Sequence, residues 1–412
     1  MSISGTVIGV DSSTQSCKVM VVDAATGQIL SRGSAPHPDG TSVDPREWTK
    51  ALNQAWDAAG ARERSDVLGV GVSAQQHGMV ALDSAGAPVH DALLWNDVRS
   101  APQARAMVEE LEISGWVEAT GSAPVTSITL TKLAWLRENA PEAAARVERV
   151  GLPHDWLVSE LTGGAWITDR SEASGSGWFD PASGSIREDL LERWFGAAPQ
   201  VPEVLAPHAS AGTITSDWLP NSPGAVVSAG CGDNAGGGLG LGIGHGDVVV
   251  SVGTSGTVFA HSPHPIADPT GVTSGFADAT GAYLPLLCTL NAARVMARTS
   301  DLLGTDLDEF DALAAAGDPD CSGLTLLPYL DGERTPNLPD AAGRWHGVTG
   351  ASLTRENMAR SSVLSVANSL ADCLEVLRTL DVPIERALLI GGGSRSATLR
   401  TALTHVLGVD ID

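Results

Sequence analysis

The sequence predicts an α/β protein of two related domains, each built on a sheet whose strands end in polar or glycine-rich turns. Three observations carry this. The chain has 412 residues, more than one hydrophobic core ordinarily serves. Short apolar runs recur, and each stops at hydroxyls, amides or glycines. Two such patterns also appear twice in the same order. Val7-Ile8-Gly9-Val10 leads into Asp11-Ser12-Ser13-Thr14-Gln15-Ser16, and Val248-Val249-Val250-Ser251-Val252 leads into Gly253-Thr254-Ser255-Gly256-Thr257. Ala229-Gly230-Cys231-Gly232-Asp233 is echoed by Ala387–Gly393. Ordered repetition marks an internal duplication. Its seam falls near residue 243, giving domains 1–243 and 244–412 with a cleft between them suited to a small molecule.

Composition narrows the partners. With 43% hydrophobic and 18% charged residues, the chain is globular. A formal net charge of −24 repels nucleic acid and anionic lipid. It would also repel a nucleotide, so a phosphate site must be organised locally by backbone N–H groups at turns and helix starts. Lysine occurs only at Lys18, Lys50 and Lys132. Five cysteines, Cys17, Cys231, Cys288, Cys321 and Cys373, lie far apart in apolar surroundings. That reads as reduced core thiols in a cytoplasmic protein, without metal-site spacing. Met1-Ser2-Ile3-Ser4-Gly5 lacks the basic and apolar regions of a signal peptide. No apolar run is long enough to span a membrane.

Taken in order, Val7–Val10 is a strand, residues 11–16 a polar turn and Cys17–Asp23 a second strand. Ala24–Gly27 turns the chain into Gln28-Ile29-Leu30. Asp, Ser and Thr favour turns in any hairpin, so this turn alone names no ligand. Asp44 is a helix N-cap, with Pro45 at the first helical position and Glu47 completing a capping box. Trp48, Leu52 and Trp56 recur every four residues and face the core, and Gly60 ends the helix. Val67–Val72 is a strand running into Ser73-Ala74-Gln75-Gln76-His77-Gly78. A lone histidine is most often structural, but this one sits at a strand end beside two amides, where it suits a polyol. Ala92-Leu93-Leu94 ends in Trp95-Asn96-Asp97, and Trp95 is either core or a platform for the apolar face of a sugar.

Residues from about 100 to 220 read as mostly helical. One helix around Leu133, Trp135 and Leu136 closes at Asn139-Ala140-Pro141. Thr168–Gly177 is polar and glycine-rich, and reads as an ordered loop near the cleft. Ala225-Val226-Val227 is a buried strand, and Asp233 follows at a helix start, where ligands of α/β sheets collect. The competing reading of Asp233 or Asn234 is a simple N-cap. In the second half, a helix from about Arg355 to Leu380 carries Met358, Val363, Val366, Leu370, Leu374 and Leu377 toward the core. Ser394 caps the helix after Gly391-Gly392-Gly393, and Val409–Asp412 is a strand at an abrupt chain end.

Assembled, these pieces resemble the FGGY family of carbohydrate kinases, its xylulokinase branch most closely, over residues 7 to 412. The specific pieces are Gly9-Val10-Asp11 with its hydroxyl turn, Gln76-His77-Gly78, Leu94-Trp95-Asn96-Asp97, Gly232-Asp233-Asn234, Gly253-Thr254-Ser255-Gly256, Pro328–Pro336 and Leu389–Gly393. The resemblance implies two actin-like, ribonuclease H-like domains closing on ATP and a sugar. It implies ATP-dependent phosphorylation of D-xylulose to D-xylulose 5-phosphate, with Asp233 as general base. Asp11 assists at phosphate and Mg²⁺, and both aspartates are implied metal ligands. Ser13 and Thr14, with Thr254, Ser255, Gly256 and Thr257, are implied phosphate-loop residues, and Gly391, Gly392 and Gly393 the adenosine-side loop. Gln76, His77, Asn234 and Trp95 are implied sugar contacts. A homodimer is compatible with it.

Three departures accompany the resemblance. Ser12-Ser13 replaces the frequent Leu-Gly or Gln-Gly, and Gln76 replaces a frequent Met. The Arg-Glu pair of glycerol kinases is absent. The chain also stops before the several helices with which family members normally continue, implying an incomplete second domain. The alternatives are therefore another ketose or polyol kinase, acting on ribulose or gluconate, and a sugar-binding chain with impaired catalysis.

Overall fold

The computed structural model describes residues 4–412, so Met1-Ser2-Ile3 of the signal-peptide reading lie outside the described residues. The chain divides into two units. The first runs to Gly242 and takes in Gly275–Tyr283, and the second comprises Ile243–Ser274 and Leu284–Asp412.

The first unit is built on strands β1 (Thr6–Ser12), β2 (Ser16–Asp23), β3 (Ile29–Pro36) and, after helix α1 (Pro45–Ala58), β4 (Val67–Ala74). In β1 the buried residues Thr6, Ile8, Val10 and Ser12 alternate with more exposed ones, as a pleated strand requires. β1 pairs antiparallel with β2 and parallel with β4, and β2 pairs antiparallel with β3. α1 buries Trp48, Leu52 and Trp56, and Trp56 Nε1 donates to the Trp218 carbonyl at 3.2 Å. The capping box does not form. Asp44 accepts from the Arg46 N–H instead, and the Glu47 carboxylate pairs with Lys50.

Beyond residue 100 the predicted run of helices is interrupted. α2 (Ala101–Thr120), α3 (Thr129–Asn139) and α4 (Pro153–Thr162) are followed by β5 (Ile167–Asp169) and the short α5 (Arg170–Ser174). The segment expected as an ordered loop, Thr168–Gly177, is therefore mostly the end of a strand and a short helix, and Ser171–Phe179 are all buried. Some of its polar groups are bonded within the segment. Asp169 caps α5 by accepting from the N–H groups of Ser171 and Glu172, and from the Ser171 hydroxyl at 2.7 Å. The chain then returns through β6 (Ser210–Thr213), β7 (Val226–Ser228) and β8 (Cys231–Gly232) into α6 (Asp233–Leu241). The sheet order is β6-β7-β4-β1-β2-β3, with β8 also paired parallel to β4.

The second unit repeats this plan. β9 (Gly246–Val252) pairs antiparallel with β10 (Gly256–Ala260), which pairs antiparallel with β11 (Tyr283–Thr289). Helices α7 (Ala293–Leu303), α8 (Leu307–Ala316) and α9 (Arg355–Thr379) precede β12 (Ile384–Ile390), which lies parallel to β9. α10 (Ala397–Leu407) and β13 (Asp410–Ile411), parallel to β12, follow. The order β12-β9-β10-β11 matches β4-β1-β2-β3. Counting along the two seven-residue strands, Ser251 of β9 stands where β1 has Asp11. α9 buries Val363, Val366, Leu370, Leu374 and Leu377, while Met358 is half-buried. Ser396, not Ser394, caps α10, accepting from the Leu399 N–H; the Ser394 hydroxyl bonds the Gly391 carbonyl. No helix among the described residues is long and apolar enough to cross a membrane.

Candidate active site

Strand register places the first-unit candidates. Asp11 of β1 is level with Ser73 of β4, and Ser73 with Cys231 of β8. One rung further are Ser12, Ala74 and Gly232. All three strands are parallel, so their carboxyl ends share one edge of the sheet. From that edge emerge the turn at Ser13 and Thr14, the Gln76-His77 turn, and Asp233 with Asn234. Strand spacing puts the backbones of Asp11 and Cys231 roughly 10 Å apart, and Asp233 follows two residues beyond Cys231.

The approach to Asp233 is set by Gly230, whose φ of +71° lies in the one-residue bulge between β7 and β8, both of which run parallel to β4. A Cβ there would lie 2.1 Å from His154 Nε2 and 2.5 Å from the Val72 carbonyl oxygen. Gly232 then occupies the cap of α6, and Asp233 is its first residue, so the simple N-cap reading does not hold. The hydrogen bonds to the Asp233 carboxylate both use Oδ1, from the Asn234 N–H at 2.8 Å and its side-chain amide at 3.0 Å. Neither of these bonds uses Oδ2. Asp233 keeps some solvent access, yet burial pushes its carboxyl up to about 6; the Asn234 N–H opposes this and the charge of Asp11 adds to it. A proton affinity near neutrality is what general-base chemistry needs.

Behind Asp233 lies a sealed polar group that the sequence did not reveal. His154 and Asp155 are fully buried, with Nδ1 3.1 Å from Asp155 Oδ1. Glu172 is also buried; desolvation, and the charges of Asp155, Asp169 and Asp233, hold its carboxyl well above the usual carboxylate range. Ser171 ties this group to the site: its hydroxyl accepts from the Gly232 N–H at 2.9 Å, and its carbonyl from Gln76 Nε2 at 2.7 Å.

Gln76 is 6% exposed, and its Nε2 donates to the Ser171 carbonyl at 2.7 Å. His77 is half-buried at a φ of +70°, its Nδ1 2.8 Å from the Gly175 carbonyl oxygen. Trp95 is half-buried, and its Nε1 donates to the Thr14 hydroxyl at 2.8 Å. The structure thus joins Trp95 to the turn expected to bind phosphate. Asp97 accepts from the Thr41 hydroxyl at 2.7 Å and pairs with Arg99, a structural role. The turn after β1 is buttressed by His37, whose Nδ1 meets the Ser13 carbonyl at 2.9 Å and whose N–H donates to Gln15. No local pattern singled out His37.

In the second unit, the turn after β9 presents Thr254 and Ser255, whereas Gly256 and Thr257 are strand residues paired with Val252 and Ser251. The Gly253 and Thr254 carbonyls accept from the N–H groups of Ala293, Ala292 and Arg294, at and just before the start of α7. The turn after β12 packs on the end of β9. Gly391 has a φ of +90°, and a Cβ there would lie 2.6 Å from the Val252 carbonyl oxygen. Thr254–Ser255 and Gly391–Gly393 therefore emerge side by side from two parallel strands, the usual ligand edge of such a sheet.

Comparison with known proteins agrees with this arrangement. Residues 6–240 match the model of the N-terminal domain of the FGGY family of carbohydrate kinases, and residues 248–412 that of its C-terminal domain. The chain is 45% identical over 409 residues to a xylulose kinase of Streptomyces coelicolor, covering 98% of this chain and 83% of that one. It is 44% identical to a xylulose kinase of Streptomyces rubiginosus, with the same coverage. The crystal structure of xylulose kinase from Bifidobacterium adolescentis superposes with a TM-score of 0.92 at 44% identity, covering 100% of this chain and 89% of that one.

Proposed function

We propose a substrate and a division of labour from one premise: this chain belongs to the FGGY family of carbohydrate kinases. It is an ATP-dependent sugar kinase of the actin-like fold, and we infer that its sugar is D-xylulose. The relatives that are 44–45% identical over nearly the whole chain are named for that ketose. The observation that carries the mechanism is Asp233, bonded by Asn234 through Oδ1, its proton affinity raised to about 6 at the edge shared with Asp11 and His77.

The reaction forms a bond between the ketose 5-hydroxyl oxygen and the γ-phosphorus, and breaks the bond from that phosphorus to the ADP oxygen. Asp233 Oδ2 accepts the hydroxyl proton as the bond forms. The Gly175 carbonyl can only accept, so His77 Nδ1 carries a hydrogen toward it, and the half-buried ring is a proposed sugar contact. Gln76 Oε1 and the Asn234 amide supply further contacts. Ser13 and Thr14 in the first unit, and Thr254 and Ser255 in the second, are the proposed phosphate-binding positions. Gly391, Gly392 and Gly393 are the proposed adenosine-side turn, and Gly256 and Thr257 are kept as supports of the phosphate turn.

Asp11 and Asp233 suit a hard divalent cation such as Mg²⁺: both are oxygen donors, and their mutual repulsion, felt at Asp233, is what a cation relieves. Such an ion would neutralise phosphate charge. Asp11 Oδ2 is held at 2.9 Å by Lys18.

The substrate is tested by a panel with coupled ADP detection. D-Xylulose is expected to exceed D-ribulose, gluconate and glycerol in kcat/KM by at least about tenfold, within reach of differential hydroxyl recognition. A higher value for ribulose or gluconate overturns the assignment. For the nucleotide side, Gly391→Ala is expected to raise the KM for ATP by about tenfold, roughly 1.4 kcal/mol, with the ketose KM within twofold. Initial rates at saturating ketose measure it.

A further inference from the structure

We propose that Lys132 is a positioning residue for the sugar site: its buried ammonium group holds the carbonyl of His77, and so fixes the backbone and the ring on which ketose recognition depends. This rests on the sugar-binding role proposed for His77.

Lys132 lies on α3 and is 0% exposed. Lysine is almost never fully buried without partners that replace water. Its Nζ donates to the carbonyl of Ser127 and, at 3.2 Å, to that of His77. The interaction reaches 55 residues along the chain, from α3 to the turn after β4.

The geometry at His77 explains why a strong donor is placed there. A φ of +70° is uncommon for a residue with a side chain and persists only where surrounding contacts impose it. The contacts are distributed over the residue. The ring is held through Nδ1 on the Gly175 carbonyl at 2.8 Å, and packs 5.7 Å from the Phe276 ring centroid. The main-chain carbonyl takes the Lys132 ammonium and the Thr129 hydroxyl, the latter at 3.1 Å. Thr129 and Lys132 are one turn apart and share a face of α3.

The two donors are not equivalent. The Thr129 hydroxyl has a single hydrogen, and its oxygen is also 3.4 Å from the Gly175 carbonyl. That hydrogen is divided between two acceptors. An ammonium has three hydrogens and a formal charge, so it can hold Ser127 and His77 together with charge-assisted bonds. Lys132 therefore supplies the undivided tie on His77. The Thr129 hydroxyl on the same carbonyl also faces the acceptor of the His77 ring. Loss of the tie would loosen the backbone and the ring together.

The test is a double-mutant cycle in the full chain, with Lys132→Met and His77→Ala, alone and combined. D-Xylulose is varied at saturating ATP. Lys132→Met is expected to raise the ketose KM about tenfold, to leave the ATP KM within twofold, and to add less than twofold when His77 is already alanine. A ketose KM unchanged in Lys132→Met, or raised equally in both backgrounds, overturns the proposal. If His77→Ala alone leaves the ketose KM unchanged, it is the sugar-site reading that fails. Lys132 is then judged separately by nitrogen-15 NMR of the ligand-free protein. The His77 Nδ1–H tautomer signature is expected in the native chain and altered in Lys132→Met; its persistence unchanged overturns the tie. Should Lys132→Met not fold, Lys132→Gln, which keeps an N–H donor at similar reach, goes through the same cycle. A smaller rise in ketose KM, about threefold and dependent on His77, is then expected, and the same two KM outcomes overturn the proposal.

Discussion

Asp233→Asn is expected to lower kcat by about 10²–10⁴-fold, the range for loss of a positioned general base, while ketose binding survives. The amide keeps the size of the side chain and can still accept from Asn234 through its oxygen, so α6 should start unchanged. What disappears is the proton acceptor. The native enzyme should show the same dependence on pH. With the carboxyl pushed up to about 6, kcat/KM falls tenfold per pH unit below that value and levels above it. A pH-independent rate between 5 and 7, or near-native turnover of the variant, would remove Asp233 from the mechanism.

The same shift makes a stability prediction of opposite sign. A carboxyl with raised proton affinity binds its proton more tightly folded than unfolded. Its contribution is therefore favourable below about 4 and is lost as pH rises through about 6. Asp233→Asn removes this cost, and at pH 7 should stabilise the fold by about 1–2 kcal/mol, allowing for the residue's partial solvent access. Urea unfolding at pH 7 and pH 4 measures it, with the gain shrinking at the lower pH.

Gly230→Ala is the second large effect. The residue needs a left-handed backbone, which costs an alanine about 1 kcal/mol. The new methyl group would also meet His154 Nε2 and the Val72 carbonyl at under 3 Å. Neither can step aside cheaply. Val72 is an interior residue of β4, and the fully buried His154 ring is held against Asp155. A total loss of about 3–4 kcal/mol is expected, at the upper end for single substitutions. The relief available is a shift of β8, which carries Asp233 with it, so kcat should fall at least tenfold. Chemical unfolding and steady-state rates report the two effects. A stability loss below about 1 kcal/mol with unchanged kcat would show that the bulge at Gly230 does not position Asp233.

Much of this site was legible in the chain because local chemistry encodes it. Apolar runs closing on Asp11, His77 and Asp233 mark strand ends, and strand ends of α/β sheets are where ligands bind. The ordered echo between the two halves reappears as the matching orders β4-β1-β2-β3 and β12-β9-β10-β11. The misreadings have a common cause. Thr168–Gly177 looked too polar to bury because its partners, Gly232 and Gln76, are tens of residues away. Trp95 gave no sign of bonding Thr14, 81 residues earlier. Glu47 was expected to close a capping box, but Lys50 and Arg46 competed successfully for the carboxylates involved.

Periodicity, turn residues and strand-terminal acids are properties of neighbouring residues, so the linear order established two like α/β halves and put Asp233 at a strand end, where the family resemblance implied a general base. Folding added what distance along the chain conceals. It set the register that levels Asp11 with Ser73 and Cys231, sealed Glu172 behind Asp233, and brought the Lys132 ammonium to the His77 carbonyl. Those contacts raise a proton affinity or fix a ring through short-range forces, and such forces act only once remote segments are packed together.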